Sequence, residues 1–266
     1  MYNKPMKYNK ILHKIVPIIN SKFLYKFWIF LNKLSILGLG FNFPIQNKHI
    51  SPLLINKSSL VIFDVGAATG GFYETVGVPE NLINSVHFFE PSLASLDLLK
   101  EKFSNQNNKF INSVGVSNFI GEGELFDRAE NDSSAHATIR KKIIEDYWGS
   151  NIKSQKIKII TLESYVYEKN IKKIDYLKID VEGEELGVIA GLGKFINNVS
   201  YIQFEFGAFN KHTKVSMIDF DLALENFTLF RILYNGRLVQ ISDEPIFLHG
   251  LYARHEILAI NNNLIT

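Results

Sequence analysis

The chain of 266 residues contains no cysteine, which excludes a disulfide framework, a thiolate zinc site, an iron–sulfur cluster and a cysteine nucleophile. Acidic residues are missing from the first 63 positions, where nine lysines (4, 7, 10, 14, 22, 26, 33, 48 and 57) stand alone. That stretch carries +9, and the remaining 203 residues, with 20 basic and 27 acidic side chains, carry −7. The formal net charge of +2 therefore conceals two differently charged regions. Long hydrophobic runs are absent as well. The longest uncharged stretch near the start, 34–47, has 14 residues and contains Gly38, Gly40 and Pro44, short of the roughly 20 apolar residues that a bilayer crossing needs. Lys22, Lys26 and Lys33 interrupt the apolar runs, and no small-residue cleavage site follows a clean apolar core. Neither a transmembrane helix nor a signal peptide is expected, and the cytoplasm is the default compartment.

What is present describes an ordinary globular protein: 46% hydrophobic and 21% charged residues, at a length that fits one α/β domain with an appendage. From Leu60 onward short apolar runs alternate with helical periodicities, the pattern of βαβ units and a parallel sheet. Strands are predicted at 60–65, 85–90, 110–116, 174–180, 199–206, 228–234 and 256–260. Leu96, Leu99 and Phe103 recur at helical spacing, as do Leu186, Ile189, Gly193 and Ile196. The polar text between 117 and 156 reads as an insertion over the site and not as core. With no internal repeat and no low-complexity linker, the organisation is a basic helical segment at 1–55 followed by one domain at 56–266.

The first strand runs directly into Asp64-Val65-Gly66-Ala67-Ala68-Thr69-Gly70-Gly71. A strand, a glycine turn and a helix start let backbone N–H groups approach a ligand. Glu90, at the end of the next strand and twenty residues past Gly70, is placed to accept both ribose hydroxyls of a nucleotide cofactor. A surface glutamate before a helix-starting proline is the plainer alternative. A dinucleotide turn has the form G-x-G-x-x-G so that pyrophosphate can sit on the helix end. Here Asp64, two residues before the first glycine, repels a pyrophosphate and suits a cofactor with a cationic amino group, which points to S-adenosylmethionine.

DVGAATGGF at 64–72, HFFEP at 87–91 and YLKIDVEGEELGVIAG at 176–191 resemble, in that order, blocks of the FkbM family of S-adenosylmethionine-dependent methyltransferases. YIQFEFGAFN at 201–210 and RHEILAI at 254–260 resemble a branch associated with bacterial surface-carbohydrate synthesis. The resemblance covers roughly 55–260, and KIDVEGEE with a downstream QFEFG is its most specific part. It implies a Rossmann-like class I methyltransferase fold, a seven-stranded, mostly parallel sheet with helices on both faces and the last strand antiparallel. It further implies cofactor contacts from Asp64, Gly66, Ala67, Gly70, Phe72, Glu90, Ser117 and Asp180. Ala68 departs from the family, which usually has Asn there. The implied acceptor is a saccharide or lipid-linked saccharide, with no nucleic acid partner, and a homo-oligomer is compatible with it.

Asp180, Glu182, Glu184 and Glu185 follow the fourth strand and Glu205 ends the fifth, so they open onto the same crevice as the cofactor. If the chain stays extended, Asp180 and Glu182 face one side. Asp180, Glu182 and Glu205 are the expected base or Mg²⁺ ligands, whereas Glu184 and Glu185 are expected to complement a helix dipole. O-methylation is an in-line displacement in which the enzyme aligns an acceptor oxygen and removes its proton; Asp180 is the first choice for that step. Among seven scattered histidines, His136 and His212 are the ones placed to act as general bases, against the plainer reading of solvated loop residues.

A nicotinamide-dependent oxidoreductase of the short-chain type is the rival suggested by Tyr165 and Lys169 in Y-x-x-x-K spacing, although the T-G-x-x-x-G-x-G turn is absent. A non-catalytic carbohydrate- or lipid-binding protein is a third reading, favoured only by Ala68. At about 100° per residue, Lys22, Lys26 and Lys33 of a helix expected over 21–37 form one stripe opposite Phe23, Leu24, Phe27, Trp28, Leu31 and Leu34. Such a helix suits peripheral contact with the inner face of a membrane. The favoured alternative is packing of its apolar face on protein.

Overall fold

The computed structural model describes residues 26, 47–129, 136–149, 151–233, 235–243 and 255–264, without the side chains of Lys48, Trp148 and Asp243. Its strands are β1 (Leu60–Val65), β2 (Ile83–Phe89), β3 (Lys109–Asn112), β4 (Gly115–Val116), β5 (Gly121–Arg128), β6 (Ile152–Ile160), β7 (Ile174–Ile179), β8 (Val199–Phe206), β9 (Phe227–Ile232), β10 (Leu238–Gln240) and β11 (His255–Asn261). The α-helices are α1 (Ile50–Leu54), α2 (Gly71–Thr75), α3 (Leu93–Phe103), α4 (Lys141–Trp148), α5 (Leu162–Glu168), α6 (Glu185–Ala190), α7 (Ala208–Thr213) and α8 (Met217–Ala223).

The main sheet has the order β10-β9-β11-β8-β7-β1-β2-β3. Strands β3, β2, β1, β7 and β8 pair in parallel, while β11 runs antiparallel to both β8 and β9. Chain order reverses between β1 and β7, and such a reversal opens a crevice at the carboxyl ends of the strands. This is the expected Rossmann-like class I architecture, with the antiparallel last strand in place and eight strands instead of seven. The extra strand, β10, has three residues and pairs only with β9, too short to leave a periodic signal.

Apolar alternation builds a core on each face. Phe63, Val65, Leu177, Ile179, Ile202 and Phe204 face α5, α6 and α8. Leu60, Ile62, Val86, Phe88, Tyr176 and Tyr201 face α1, α2 and α3. The expected periodicity of Leu96, Leu99 and Phe103 is the buried side of α3.

Two expectations about the polar middle of the chain are corrected. The text at 117–156 does border the cleft, through Leu125, Ala137, Thr138 and Ile139, but it has a core of its own: β4, β6 and β5 form a second, three-stranded sheet around Leu125, Ile157 and Ile159. Its signal was the alternation in β6, where Ile157 and Ile159 are buried while Lys156 and Lys158 are exposed. The run 110–116 is not one strand either, since β3 joins the main sheet and β4 joins the small one. The helix expected over 21–37 lies outside the described residues except for Lys26. The end of the basic segment is bound to the domain, with His49, Ile50 and Leu54 of the α1 region buried.

Candidate active site

The turn after β1 is shaped by a backbone collision that only glycine avoids. Gly66 has φ +79°, and a Cβ on it would lie 1.8 Å from the Asp180 carbonyl oxygen. Asp180 N donates to Val65 O at 2.9 Å, so the turns after β1 and β7 are locked together. Gly70, at φ +84°, leaves room for Phe103, whose ring a Cβ would meet at 2.4 Å. Ala68 is itself left-handed, at φ +46°, a conformation in which Asn is far more at home than Ala; the geometry thus supplies a reason for the family's usual Asn. Glu90 is buried beside this loop and accepts from Ala68 N at 2.8 Å and from Ser92 N at 2.7 Å. Burial raises its carboxyl above the ordinary value, while the Ser92 and Ala68 N–H groups pull it back.

A cleft opens here, lined by Val65, Gly66, Ala68, Phe89, Glu90, Val116, Leu125, Asp180 and Glu182 among others. Apolar walls with a few convergent polar groups suit a small organic ligand. Ala67 and Phe72 do not line this cleft; Ala67 is buried in the α1–α3 core and Phe72 stacks on Tyr176, centroids 6.0 Å apart.

Across the neighbouring strands the period of two aligns polar side chains into rows. Asp64, Lys178 and Gln203 are lateral partners on β1, β7 and β8. One step nearer the carboxyl edge stand Asp180, directly after β7, Glu205 on β8, and Glu256, the cross-strand partner of Glu205 on β11. One carboxylate oxygen from each of these three lies within 4.8 Å of the others. Like charges so arranged repel, and Lys178 answers them from beneath, at 2.9 Å from Glu256 and 3.5 Å from Asp180. Burial alone would lower the Lys178 ammonium; Glu256, Asp180 and Glu205 outweigh it and hold the group raised and charged.

The other expected site residues fall elsewhere. Glu182 does not join Asp180 and Glu205, because the strand has ended and Glu182 is left-handed at φ +55°. It lines the cleft and its Oε1 lies 2.8 Å from His136 Nδ1. Glu256 takes the third carboxylate position, and no local signal in 254–260 marked it. Ser117 is fully buried and donates to Glu184 Oε1 at 2.6 Å, while Arg140 Nε donates to Glu184 Oε2 at 2.7 Å. Glu184 thus ties the small sheet to α6. Glu185 accepts from the Gly183 and Val181 N–H groups, and burial pushes its carboxyl up to about 8. His212 on α7 faces Asp146 Oδ2 at 2.9 Å and does not line the cleft. The dehydrogenase-like pair is outside it as well: buried Tyr165 bonds His87 Nδ1 at 2.9 Å, and Lys169 lies over its ring.

Asp64 sits beneath the glycine turn, fully buried, and its Oδ2 has no hydrogen-bond partner among the described residues. Burial pushes its carboxyl up to about 7; Lys178 opposes the rise, and Asp180 and Glu90 add to it. Between the ordinary carboxylate range and pH 7 the folded chain keeps a proton that the unfolded chain has lost, so this group makes stability fall as pH rises through that window. Asp64→Asn should abolish that contribution. In denaturant titrations the variant's gain over the parent is expected to be larger at pH 8 than at pH 5, by on the order of 2–4 kcal/mol. Equal gains at both pH values would show that the folded protein holds Asp64 ionised across this range.

No curated protein matches the chain. Among solved structures it is similar to a methyltransferase FkbM from Methylobacillus flagellatus, with 14% identity and a TM-score of 0.49 over 79% of this chain and 45% of that one. An rRNA methylase from Streptococcus thermophilus aligns with 11% identity and a TM-score of 0.43, over 81% of this chain and 93% of that one. Fibrillarin from Aeropyrum pernix, solved with natively bound S-adenosyl-L-methionine, aligns with 12% identity and a TM-score of 0.40, over 86% and 74%. The model of the methyltransferase FkbM domain matches residues 64–229, from the Asp64 turn through the carboxylate-bearing strands β7 and β8. That span is more than half of the chain, and the protein belongs to the FkbM methyltransferase family.

Proposed function

We propose that the protein transfers a methyl group from S-adenosylmethionine to a hydroxyl of a saccharide or saccharide-containing intermediate of bacterial surface carbohydrate. The observation that carries this reading is Asp180, the first carboxylate of the row with Glu205 and Glu256, standing directly beside the glycine turn and lining the cleft, which puts a proton-accepting group next to a cofactor cradle. The chain's own residues fit the cofactor. The unpartnered Asp64 oxygen suits a cationic amino group above it, reached through water because Asp64 does not line the cleft. Glu90 suits a ribose, and Val65, Phe89, Val116 and Leu125 suit an adenine ring. Bound S-adenosylmethionine supplies an electrophilic sulfonium methyl: the O–C bond forms as the C–S bond breaks, and that electron pair stays on sulfur. Asp180, with 28% of its side chain exposed against 10% for Glu256, is the member of the row open to an acceptor, and it takes the hydroxyl proton.

Glu90→Ala is expected to weaken S-adenosylmethionine binding at least about tenfold by calorimetry, because charge-assisted hydrogen bonds contribute roughly 1.5–3 kcal/mol each and Ala68 loses its anchor. Unchanged affinity in a folded variant would remove the ribose from Glu90. Asp180→Asn preserves size and deletes the proton acceptor, so methyl transfer at saturating cofactor should fall by about 10² or more. Undiminished transfer would sink the assignment. Loss of the parent's rate in EDTA with recovery in Mg²⁺ would add a cation to Asp180 and Glu205.

The reading extends to peripheral membrane contact by the basic start of the chain, beside a lipid-linked acceptor. Among the described residues no helix is long and apolar enough to cross a membrane. Flotation with anionic liposomes at low salt, reversed at high salt, is the expected behaviour of such a contact. Protein that stays at the bottom leaves the segment as a packing element of the domain, as buried Ile50 and Leu54 already are.

A further inference from the structure

Period two along β6 puts Gln155 on the same face as Ile157 and Ile159, the face that packs the core of the small sheet. Its cross-strand partner on β5 is Leu125, which lines the cleft. An amide on such a face is destabilising unless both of its ends are hydrogen-bonded. Gln155 meets that condition with the loop that follows β2: its Nε2 donates to Pro91 O at 2.8 Å, and its Oε1 accepts from Leu93 N at 3.3 Å. The two backbone groups force this orientation of the amide, because a carbonyl only accepts and an N–H only donates. Gln155 is half-buried and does not itself line the cleft.

The loop so held has few anchors of its own. Pro91 lacks an N–H, which leaves its carbonyl as its one backbone hydrogen-bonding group. Ser92 precedes α3 with no side-chain cap among the described residues, and Leu93 N belongs to the first-turn amides that a helix cannot satisfy internally. Gln155 therefore supplies from another sheet what a local cap ordinarily supplies. Between its two contacts stands Ser92, whose N–H donates to Glu90 Oε1 at 2.7 Å, while Glu90 Oε2 accepts from Ala68 N at 2.8 Å. Glu90, Pro91 and Ser95 line the cleft. Withdrawing Gln155 would release the Ser92 N–H, and with it the donor that sets one end of the Glu90 carboxylate.

We propose that Gln155 is a positioning residue for the cofactor: by clamping Pro91 O and Leu93 N it fixes Ser92 N and so aims the Glu90 carboxylate at the ribose hydroxyls. The inference rests on the placement of the S-adenosylmethionine ribose at Glu90 above. Gln155 touches neither cofactor nor acceptor and takes no part in bond making. Because Gln155 and Leu125 are cross-strand partners, the strand pair that puts Leu125 against the cleft also sets the direction of Glu90. The small sheet thus serves recognition of the ribose as well as covering the site.

The test is calorimetry on the full-length protein with two probes, S-adenosylmethionine and its 2′-deoxyribose counterpart. The parent should bind the first about tenfold or more tightly than the second, the worth of one hydrogen bond to a charged group. Gln155→Met keeps the length of the side chain and removes both contacts. It should bind S-adenosylmethionine about three- to tenfold more weakly than the parent and the 2′-deoxy probe within about twofold of it, so that discrimination falls to about threefold or less. A role confined to folding or packing would weaken both probes alike, and that result would overturn the proposal. Gln155→Asn keeps the amide but withdraws it by one methylene; its discrimination should fall in the same direction, and it decides alone if Gln155→Met does not fold. Parental discrimination in the variants would overturn the proposal and leave the ribose at Glu90. A parent that binds the two probes equally would remove the ribose from Glu90, and a parent that binds neither would overturn the cofactor reading; the proposal falls with either.

Discussion

The contact on which the site depends is the passage of the Asp180 carbonyl through the space where a side chain at position 66 would stand. Two loops that belong to different βα units are joined there, one carrying the glycine turn and the other the first carboxylate of the Asp180–Glu205–Glu256 row. The hydrogen bond from Asp180 N to Val65 O continues the pairing of β1 with β7 to the very edge of the sheet. Methyl transfer requires donor carbon and acceptor oxygen to be aligned within a fraction of an ångström. A scaffold that fuses the two loops through backbone atoms removes the main source of play between them.

The second constraint is charge. Asp64, Glu90, Asp180, Glu205 and Glu256 crowd the carboxyl edge around a single buried lysine. Removing a charge from water is costly unless it is paired and hydrogen-bonded, and the protein meets that cost differently at each position. Glu90 takes backbone N–H groups, Glu256 takes Gln203 and Lys178, and Asp64 rises toward neutrality. This polar edge adjoins two cores that are aliphatic and aromatic. Its polar layer continues through Gln203 and Tyr176 to His49, so that the start of the domain and the carboxylate row share one hydrogen-bond network.

The small sheet shows how a cleft gains its roof. Leu125 of β5 and Val116 of β4 line it from above, and Ala137, Thr138 and Ile139 border it. The Ser117–Glu184–Arg140 contact fastens this layer to the start of α6, and Thr138 Oγ1 donates to Glu182 O at 2.8 Å. Glu184 therefore acts through packing and ion pairing, beyond any dipole effect at the helix start, and Glu182 belongs to this roof and not to the carboxylate row.

Local text determined a good deal on its own. The alternation of Tyr176, Lys178 and Asp180, and of Gln203 and Glu205, sets which residues share a face, because successive side chains of a strand point to opposite sides. The order of strand, glycine turn and helix placed the glycine turn at the carboxyl edge of the sheet, and the family blocks anticipated the sheet. Short-range periodicity could not say which strand would lie beside β8. Glu256 reaches the site only because β11 enters antiparallel and puts its amino end against the carboxyl end of β8. Nor could spacing tell that the chain turns left-handed at Glu182 and leaves Asp180 behind, or that Ile157 and Ile159 would bury against Leu125 in a sheet of their own. Lateral neighbours across strands are chosen by long-range pairing and burial, and those exist only once the chain has closed on itself.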